Sequence, residues 1–512
     1  MEKSKEKRKV SWLNILGYAS INFLGSGAQA VMSAWLMIFY TTYCNMSAAA
    51  AGSIFAIARL IDAVGNPIMG YISDNFGRTA LGRKFGRRRF FTLMGIPAIL
   101  ISFPILWTTG HSFNFYFIAN LIYEIFFTMV IVTGTTLPAE MSQEALDKTK
   151  LVSAKQYCGT IASTIALAIP GFLFKTFGEK SPDAYLYTGI IYGVITSASL
   201  AVMYALTFER NPEDIVYKED SNHGLGHIMV KMLTDIGSSL QIKSFRLHAG
   251  MMFLIGIYKN LVAGIFTYFV IYVLGLEKST TAFITSSTTL VSTLALTAAI
   301  VVAYKWGGPK TFRISSIVII VSTVGYFALS KVTGSSNLVV FLIIVALINT
   351  AGKAWADYVP VFQLPYMADI DEAVTLERRE GIYTGVNSLL SKVASSIEAA
   401  VLGAGLSAFG FVTGDKTQSA TAIEGIMLIT VVAPIVLLIL TWFVSLRLKL
   451  TKENHKLLVD EVNRVKAGGS KAEVTQEARE AIEELTGYKY EQCFGNNNVG
   501  YQSKNKDNAA TA

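Results

Sequence analysis

Three polar residues interrupt one long apolar stretch of the chain at helical spacing. Arg59 and Asp62 are three residues apart, which places them on neighbouring faces of one helix, and Asn66 follows one turn after Asp62. An ionisable side chain in an apolar environment is costly unless it faces a cavity or a partner. These residues are therefore candidates for binding an ion or a polar solute. The alternative is an Arg59–Asp62 ion pair that only holds the helix in register.

Two further charged pairs lie in later apolar stretches. Lys353 and Asp357 are four residues apart, so mutual neutralisation on one helix is the favoured interpretation, and solute binding is the alternative. Lys392 and Glu398 are six apart and cannot pair readily on one helix. Charge balance therefore predicts Asp62 as the counterion of Lys392.

One acid and one base stand alone in apolar surroundings. Glu124 and Lys259 have no charged neighbour at helical spacing. Each is a candidate functional residue by the same argument, and a position near the membrane surface with the charge reaching towards water is the alternative.

The elements that carry these residues are predicted to be membrane-spanning helices. Of the 512 residues, 52% are apolar and 16% are charged, and the mean hydropathy is +0.45. Because a spanning helix needs about 20 mostly apolar residues, twelve runs of that kind predict twelve spans. They lie near residues 14–40, 48–73, 90–108, 114–138, 155–177, 184–208, 247–274, 281–303, 313–331, 337–366, 382–409 and 422–447. We predict an all-α membrane protein.

The long connection at residues 209–246 divides the spans into two groups of six, which is typical of transporters built from two repeated bundles. The predicted divisions are an N-terminal tail, a first six-helix bundle, a central loop, a second six-helix bundle and a C-terminal tail. They cover residues 1–13, 14–208, 209–246, 247–447 and 448–512. The C-terminal tail reads as two short helices separated by a Gly468-Gly469-Ser470 break, the second ending near Gly487.

Connections rich in basic residues alternate along the chain with poorly charged ones. This alternation predicts the orientation of the chain in the membrane. They concentrate at the N-terminus, in 74–89, 209–246 and 304–313, and after Arg447. The positive-inside bias assigns these segments and both termini to the cytoplasm of a multi-pass protein in the plasma (inner) membrane. This topology also accounts for the net charge of +8 without a nucleic-acid partner. The three cysteines have no metal or disulfide spacing.

The connection after the second span has a recognisable pattern. Gly70-Tyr-Ile-Ser-Asp74-Asn-Phe-Gly77-Arg78 resembles the G-x-x-x-D-x-x-G-R loop of the major facilitator superfamily. The resemblance implies the major facilitator fold. A tight turn in which Asp74 pairs with basic groups or a helix N-terminus would brace a cytoplasmic gate, so Asp74, Gly77 and Arg78 are the candidate gating residues.

The second span carries a more specific resemblance. Arg59-Leu-Ile-Asp62-Ala-Val-Gly-Asn66-Pro67-Ile-Met-Gly70 is similar to the R-x-x-D-A-x-x-D-P-x-x-G signature of the glycoside–pentoside–hexuronide:cation symporters, the family of melibiose permease. A second match runs from Met367-Ala-Asp369-Ile-Asp371-Glu372 through Arg378-Arg-Glu380-Gly381 to Lys392. A looser third match is Glu140-Met-Ser142.

The resemblance implies alternating access around a midplane site that binds a solute and a cation, Na⁺ or H⁺, together. Its cation-coupling positions fall on Asp62, Asn66 and Thr128. Its substrate positions fall on Arg59, Asp62, Ser26, Gln156 and Lys392. The span-10 residues Lys353 and Asp357 are further candidate substrate-binding residues.

The departures from the family pattern bear on both ligands. Asn66 replaces an acid, which weakens a sodium site and makes proton coupling through Asp62 credible. Ser26 and Ile131 stand where melibiose permease holds galactosides with two acids, and Gln156 stands where it has an arginine. Another glycoside, a uronide or a different polar solute therefore fits at least as well as a galactoside.

Three functions follow as hypotheses. The leading one is a secondary transporter, working as a monomer in the bilayer, that couples a sugar, glycoside, uronide or related solute to a cation. The alternatives are a lysolipid-type carrier of the same fold and a membrane sensor that binds solute without moving it. We expect no enzyme activity and no cofactor besides the coupling ion, because no paired nucleophile and base, H-E-x-x-H or phosphate loop is present.

Overall fold

The structure is a computed structural model that describes residues 10–142, 144–209, 236–376, 380–412 and 417–497, with the single positions 230, 233, 234, 414 and 499. Within these ranges the side chains of residues 74, 139, 145, 146, 148, 149, 380–382 and 384 are not covered. Arg378 and Arg379 of the second family match lie outside the described residues.

The described residues form helices and no strand. Twelve long helices, numbered α1 to α12, correspond one to one with the predicted spans. They are Trp12–Tyr43, Ala48–Phe76, Arg89–Ile105, Phe113–Thr135, Ala145–Phe177, Asp183–Leu206, Lys243–Val273, Lys278–Trp306, Gly308–Leu329, Leu338–Thr375, Glu380–Ala408 and Ala420–Arg447. Eleven are long and apolar enough to cross a membrane, and α3 is a shorter apolar helix of 17 residues. The prediction of a multi-pass all-α protein is confirmed.

Helices α2 and α1 each have a distinctive local feature, an N-terminal cap in α2 and π-helical segments in α1. The side chain of Ser47 accepts a hydrogen bond from the backbone N–H of Ala50 and so caps the start of α2. Helix α1 contains two π-helical segments, Phe23–Ala28 and Met32–Leu36. Such segments are rare, and those that occur are often at functional sites. The polar residues of α1 are therefore candidates for a site.

The chain forms two compact units, each built from several segments. Unit 1 comprises Met1–Asn222, Ala263–Thr293 and Ala399–Ile426. It therefore contains α1 to α6 together with one end of α7, α8, α11 and α12. Its largest fully buried side chains are aromatic and include Trp35, Trp107, Tyr116 and Tyr185.

Unit 2 comprises His223–Val262, Leu294–Glu398 and Met427–Ala512. It contains α9, α10, the other parts of α7, α8, α11 and α12, and the C-terminal tail. Its apolar core runs from the spans into the tail without a break, since Phe312, Ile370, Leu458 and Ile482 belong to one buried cluster. The predicted division of the chain at residues 209–246 stays a prediction.

The tail contains the two predicted short helices, α13 (Lys452–Lys466) and α14 (Gln476–Thr486). Thr451 and Thr475 cap their N-termini, and Gly487 ends α14 in the left-handed conformation that glycine adopts easily. The backbone N–H groups of Phe494 and Gly495 donate to the carbonyl oxygens of Ala373 and Val374, 2.9 Å each. The tail thus satisfies carbonyl groups at the C-terminal end of α10 that would otherwise lack partners.

Candidate functional site

Helices α2 and α4 bring two charged residues together in unit 1. Arg59 Nη1 lies 3.2 Å from Glu124 Oε1, and the side chains are 15% and 3% exposed. The described ion pair of Arg59 is therefore with Glu124, and the alternative of an Arg59–Asp62 pair is wrong. Glu124 is neither isolated nor near a surface, as the snorkelling alternative required.

Helix α1 adds a third member to this cluster. Arg59 Nη2 also donates a hydrogen bond to Gln29 Oε1. Gln29 lies between the two π-helical segments of α1. We call Gln29, Arg59 and Glu124 the arginine cluster. Gln29 was missed at the sequence level, and its one available signal was an amide side chain three residues after Ser26 in an apolar run.

The arginine cluster has unused hydrogen-bonding capacity. Glu124 Oε2 and Gln29 Nε2 are buried and have no hydrogen-bond partner among the described residues. Buried polar atoms are nearly always paired, so an open acceptor and an open donor on two residues that contact the same arginine indicate a site for a ligand or water. A hydroxyl group, which both donates and accepts, matches such a pair.

Asp62 and Thr128 form a second polar contact between α2 and α4. Thr128 Oγ1 donates to Asp62 Oδ1, and the two side chains are buried. Glu124 and Thr128 are four residues apart, so one face of α4 meets Arg59 and Asp62 on one face of α2. A Cβ at Gly65 would lie 3.6 Å from Thr128 Cγ2, an ordinary van der Waals distance, so the two helices are in close contact here. Asn66 is half-buried and makes no hydrogen bond with a described residue.

The other substrate positions of unit 1 lie on α1 and α5. Ser26 is in the first π-helical segment and packs against Gly159 of α5, where a Cβ would lie 2.8 Å from Ser26 Oγ. Gln156 is exposed on α5 and makes no hydrogen bond with a described residue.

In unit 2 a charged contact joins α7 to α10. Lys259 Nζ lies 2.8 Å from Asp357 Oδ2, and both side chains are almost half exposed at 45% and 48%. The interpretation that Lys353 and Asp357 neutralise each other is wrong, because Asp357 pairs with Lys259 instead. Lys353 has no ion pair with a described carboxylate. Near-half exposure within spanning helices indicates that the Lys259–Asp357 pair faces open space.

Lys392 and Glu398 lie on α11 in unit 2, where Lys392 is half-buried and Glu398 is buried. The expected pairing of Lys392 with Asp62 joins residues of different units and stays a prediction.

The predicted gating residues lie at the end of α2. Gly77 follows α2 directly, and Arg78 is exposed in the turn after it. The side chain of Asp74 lies outside the described residues. Glu140 of the third family match is buried near this turn, and its Oε1 lies 2.6 Å from Arg87 Nη2 and 3.7 Å from Arg88 Nη2.

The second family match is covered by the tail. His455 Nε2 lies 2.9 Å from Asp369 Oδ2, and Lys466 pairs with Glu372. Both acids belong to the last turns of α10, so two α13 side chains hold the tail against that end of the helix.

In unit 1, the ends of the spans that lie opposite the Gly77 end of α2 are joined to one another. Glu179, in the α5–α6 connection, accepts hydrogen bonds from the backbone N–H groups of Lys278 (2.8 Å) and Ser279 (3.1 Å). It supplies a negative charge at the N-terminus of α8, where the helix dipole favours one. The Lys278 ammonium donates to Tyr43 of α1 (2.8 Å), and Tyr268 of α7 lies 3.0 Å from Thr41 Oγ1.

Two glycines let α2 and α11 touch at the same end. A Cβ on Gly403 would lie 2.5 Å from the carbonyl oxygen of Ala48 and 2.9 Å from Cα of Gly52. Ser407 Oγ accepts a hydrogen bond from the N–H of Ala49, 2.8 Å. Backbone contact of this kind requires small residues. The contacts at Lys278, Tyr268 and Gly403 therefore join helix ends on this side of unit 1.

Comparison with known proteins identifies the family of the chain. The family model described as MFS/sugar transport protein matches residues 17–452. The chain belongs to this family. Two similar family relatives are the uncharacterized symporter YnaJ of Bacillus subtilis (strain 168) and the isoprimeverose transporter of Lactiplantibacillus pentosus. The first is 26% identical over 473 residues, 90% of this chain and 96% of the relative, and the second is 24% identical over 469 residues, 89% and 92%.

A solved structure of a mutant of the nucleoside transporter NupG matches with a TM-score of 0.60. It is 12% identical and covers 84% of this chain and 99% of its own, so this likeness bears on the fold alone. The predicted major facilitator fold is confirmed. The motif resemblance to symporters is confirmed as well, since a sugar transport family model and a relative named as a symporter match most of the chain.

Proposed function

We propose that the protein is a secondary transporter that moves a sugar or related polar solute together with a cation by alternating access. The observation that carries the proposal is the arginine cluster beside the Asp62–Thr128 contact, buried charged groups in the spans of a sugar transport family member. Such groups at membrane depth are costly and mark solute and ion pathways. Membership of this family supports transport rather than catalysis as the activity.

The arginine cluster is proposed to bind solute hydroxyl groups. Glu124 Oε2 accepts from a hydroxyl and Gln29 Nε2 donates to one, while Arg59 fixes both partners. Ser26, Gln156 and Lys392 remain proposed solute-binding positions from the family resemblance. The isoprimeverose transporter, a relative over nearly the whole chain, supports a sugar as the solute.

Asp62, Thr128 and Asn66 are proposed to form the coupling site. The carboxylate and the hydroxyl are in contact, and Asn66 lies one turn further along α2 with its amide oxygen unused among the described residues. Oxygen ligands of this kind suit a hard cation such as Na⁺. Asp62 alone is enough to carry a proton, and both ions remain outcomes of the test below.

Lys353, Lys259 and Asp357 are proposed to line the solute path in unit 2. The Lys259–Asp357 pair neutralises itself, so Lys353 adds one uncompensated positive charge. A solute with a carboxylate, such as a uronide, gains from that charge in a low-dielectric path, whereas a neutral glycoside does not.

Orientation and gating complete the proposal. The basic connections support cytoplasmic termini in a plasma-membrane protein, and we propose that it works as a monomer without nucleic acid. The helix ends joined at Lys278 and Gly403 are then proposed to form the outer gate, which must open for alternating access. Asp74, Gly77 and Arg78 are proposed to brace the inner gate, next to the Arg87–Glu140 contact.

Uptake into proteoliposomes tests the proposal. Neutral glycosides, uronides and lysolipids are offered with a sodium gradient, a proton gradient or neither. We expect a sugar-type solute to accumulate with one gradient, and the Asp62→Asn variant to lose accumulation while it still exchanges solute. Asp183→Asn, an exposed acid at the start of α6, is the matched control.

Three results contradict the proposal. Accumulation that survives Asp62→Asn refutes the coupling site. Transport of lysolipids but of no sugar refutes the solute class and favours the amphiphile carrier. Sugar binding without any transport favours the sensor.

A further inference from the structure

A cavity of about 460 Å³ lies in unit 2 where α7 begins, α12 ends and α14 of the tail passes between them. Its volume is within the usual range of small-molecule sites, about 300–1,000 Å³. Four basic residues, one acid and two leucines line it, namely Lys243, Arg246, Arg447, Lys449, Glu484, Leu247 and Leu446. We call it the tail cavity. No feature of the transport site described above uses it.

The tail cavity carries an excess of positive charge. Glu484 pairs with Lys243 at 2.9 Å, which neutralises one of the four cations. Within the described part of the chain, no carboxylate forms an ion pair with Arg246, Arg447 or Lys449. Like charges gathered around a concave surface raise the local potential and attract an anion.

The wall formed by α14 is fixed to α7. Ser244 Oγ donates a hydrogen bond to the carbonyl oxygen of Leu485, 2.5 Å, and Tyr488 donates to Gln241 Oε1, 3.2 Å. The Ser244 contact is buried, so this part of the tail is an integral wall of the tail cavity.

The tail cavity lies at the end of an exposed apolar stripe. Val436, Leu440 and Phe443 of α12 are spaced at helical intervals and are 49%, 48% and 62% exposed. Arg447 is one turn beyond Phe443 on the same face, and Leu446 of the cavity wall is itself 43% exposed. An exposed apolar face on a spanning helix faces lipid. The cations therefore lie where α12 leaves the hydrocarbon region, at the depth of lipid headgroups.

We propose that the tail cavity binds the phosphate headgroup of an anionic phospholipid, a property that goes beyond transport. Arg246 and Arg447 offer guanidinium groups that match phosphate oxygens, and Lys449 adds a point charge. The acyl chains lie along the apolar stripe of α12. The position of the stripe favours a lipid over free phosphate, and basic pockets between spanning helices are known to hold lipid headgroups.

Native mass spectrometry of the delipidated full-length protein measures this binding. Phosphatidylglycerol is titrated against phosphatidylcholine of the same acyl chains, with inorganic phosphate as a third probe. We expect phosphatidylglycerol to bind preferentially and free phosphate to compete only weakly. Since each basic residue near an anionic headgroup contributes about a fivefold factor, the double variant Arg447→Gln/Lys449→Gln should lower affinity about thirtyfold.

Two further variants separate site binding from general effects. Lys305→Gln/Lys310→Gln removes two exposed charges from the adjoining ends of α8 and α9 and should leave affinity unchanged. Glu484→Gln frees Lys243 and should raise affinity about fivefold. A misfolded tail cannot produce a gain in affinity, so this variant keeps the proposal testable if the double variant is unstable.

Each opposing result overturns the proposal. Equal binding of the two lipids excludes headgroup recognition. Equal losses in the two double variants indicate a nonspecific charge effect. Full competition by inorganic phosphate shows an anion site that does not depend on lipid, and weaker binding in Glu484→Gln contradicts the charge argument.

Discussion

Replacing Glu124 with glutamine tests whether the arginine cluster does more than hold helices together. The substitution keeps the shape of the side chain and removes its charge, so Arg59 stays in place without its counterion. We expect Glu124→Gln to lower both the stability of the protein and solute uptake, because an unpaired guanidinium that is only 15% exposed is strongly unfavourable.

The size of the stability loss follows from the geometry. Two unit charges 3.2 Å apart interact with about 5 kcal/mol at an effective dielectric constant of about 20. Removing one partner of a buried pair typically costs about 3–5 kcal/mol. The Lys259–Asp357 pair is almost half exposed, and Asp357→Asn should therefore cost less stability than Glu124→Gln.

The double variant Arg59→Gln/Glu124→Gln separates structure from function. It removes both charges, so most of the lost stability should return, as is usual when a buried pair is replaced entirely. Uptake should not return, since the groups proposed to hold the solute are gone. Thermal unfolding in detergent and uptake into proteoliposomes measure the two quantities on the same preparations.

Two outcomes refute the reasoning. A double variant that transports at the wild-type rate shows that the Arg59–Glu124 pair is purely structural. A single variant Glu124→Gln as stable as the wild type shows that Arg59 does not depend on this counterion.

Three further predictions rest on other parts of the structure. Gly403→Ala should slow transport and lengthen a spin-label distance between the adjoining ends of α2 and α11, because its Cβ meets backbone at 2.5 Å, whereas Gly385→Ala on the same helix has open space and should not. Lys353→Gln should weaken uronide uptake about tenfold or more and leave neutral glycosides unaffected, which competition assays measure. Burial raises the pKa of the Cys493 thiol to about 11, so alkylation at neutral pH should be slow until the tail unfolds, as followed by mass spectrometry.

The spans and the tail helices could be predicted because their signals are local. A run of about 20 apolar residues is sufficient to define a spanning helix, and the Gly-Gly-Ser break separates α13 from α14. Helix α3 gives the same apolar signal, although it has only 17 residues.

The partners of the charged residues could not be predicted, because they come from distant parts of the sequence. Lys353 and Asp357 have the spacing of a helical ion pair, yet Lys259 of α7 reaches Asp357 instead. Arg59 similarly pairs with Glu124 of α4 rather than with Asp62 three residues away. Spacing along one helix says which side chains are able to meet, but packing between helices decides which of them do.

The hydrogen bonds from Phe494 and Gly495 to the end of α10 have a consequence for biosynthesis. The groups that satisfy Ala373 and Val374 are made more than one hundred residues after them. At about 5–20 residues per second, α10 enters the membrane roughly 6–25 s before its final turn gains these partners. Unit 2 therefore completes its assembly late in synthesis, and a shortened tail should act as a biogenesis defect that lowers the yield of inserted protein.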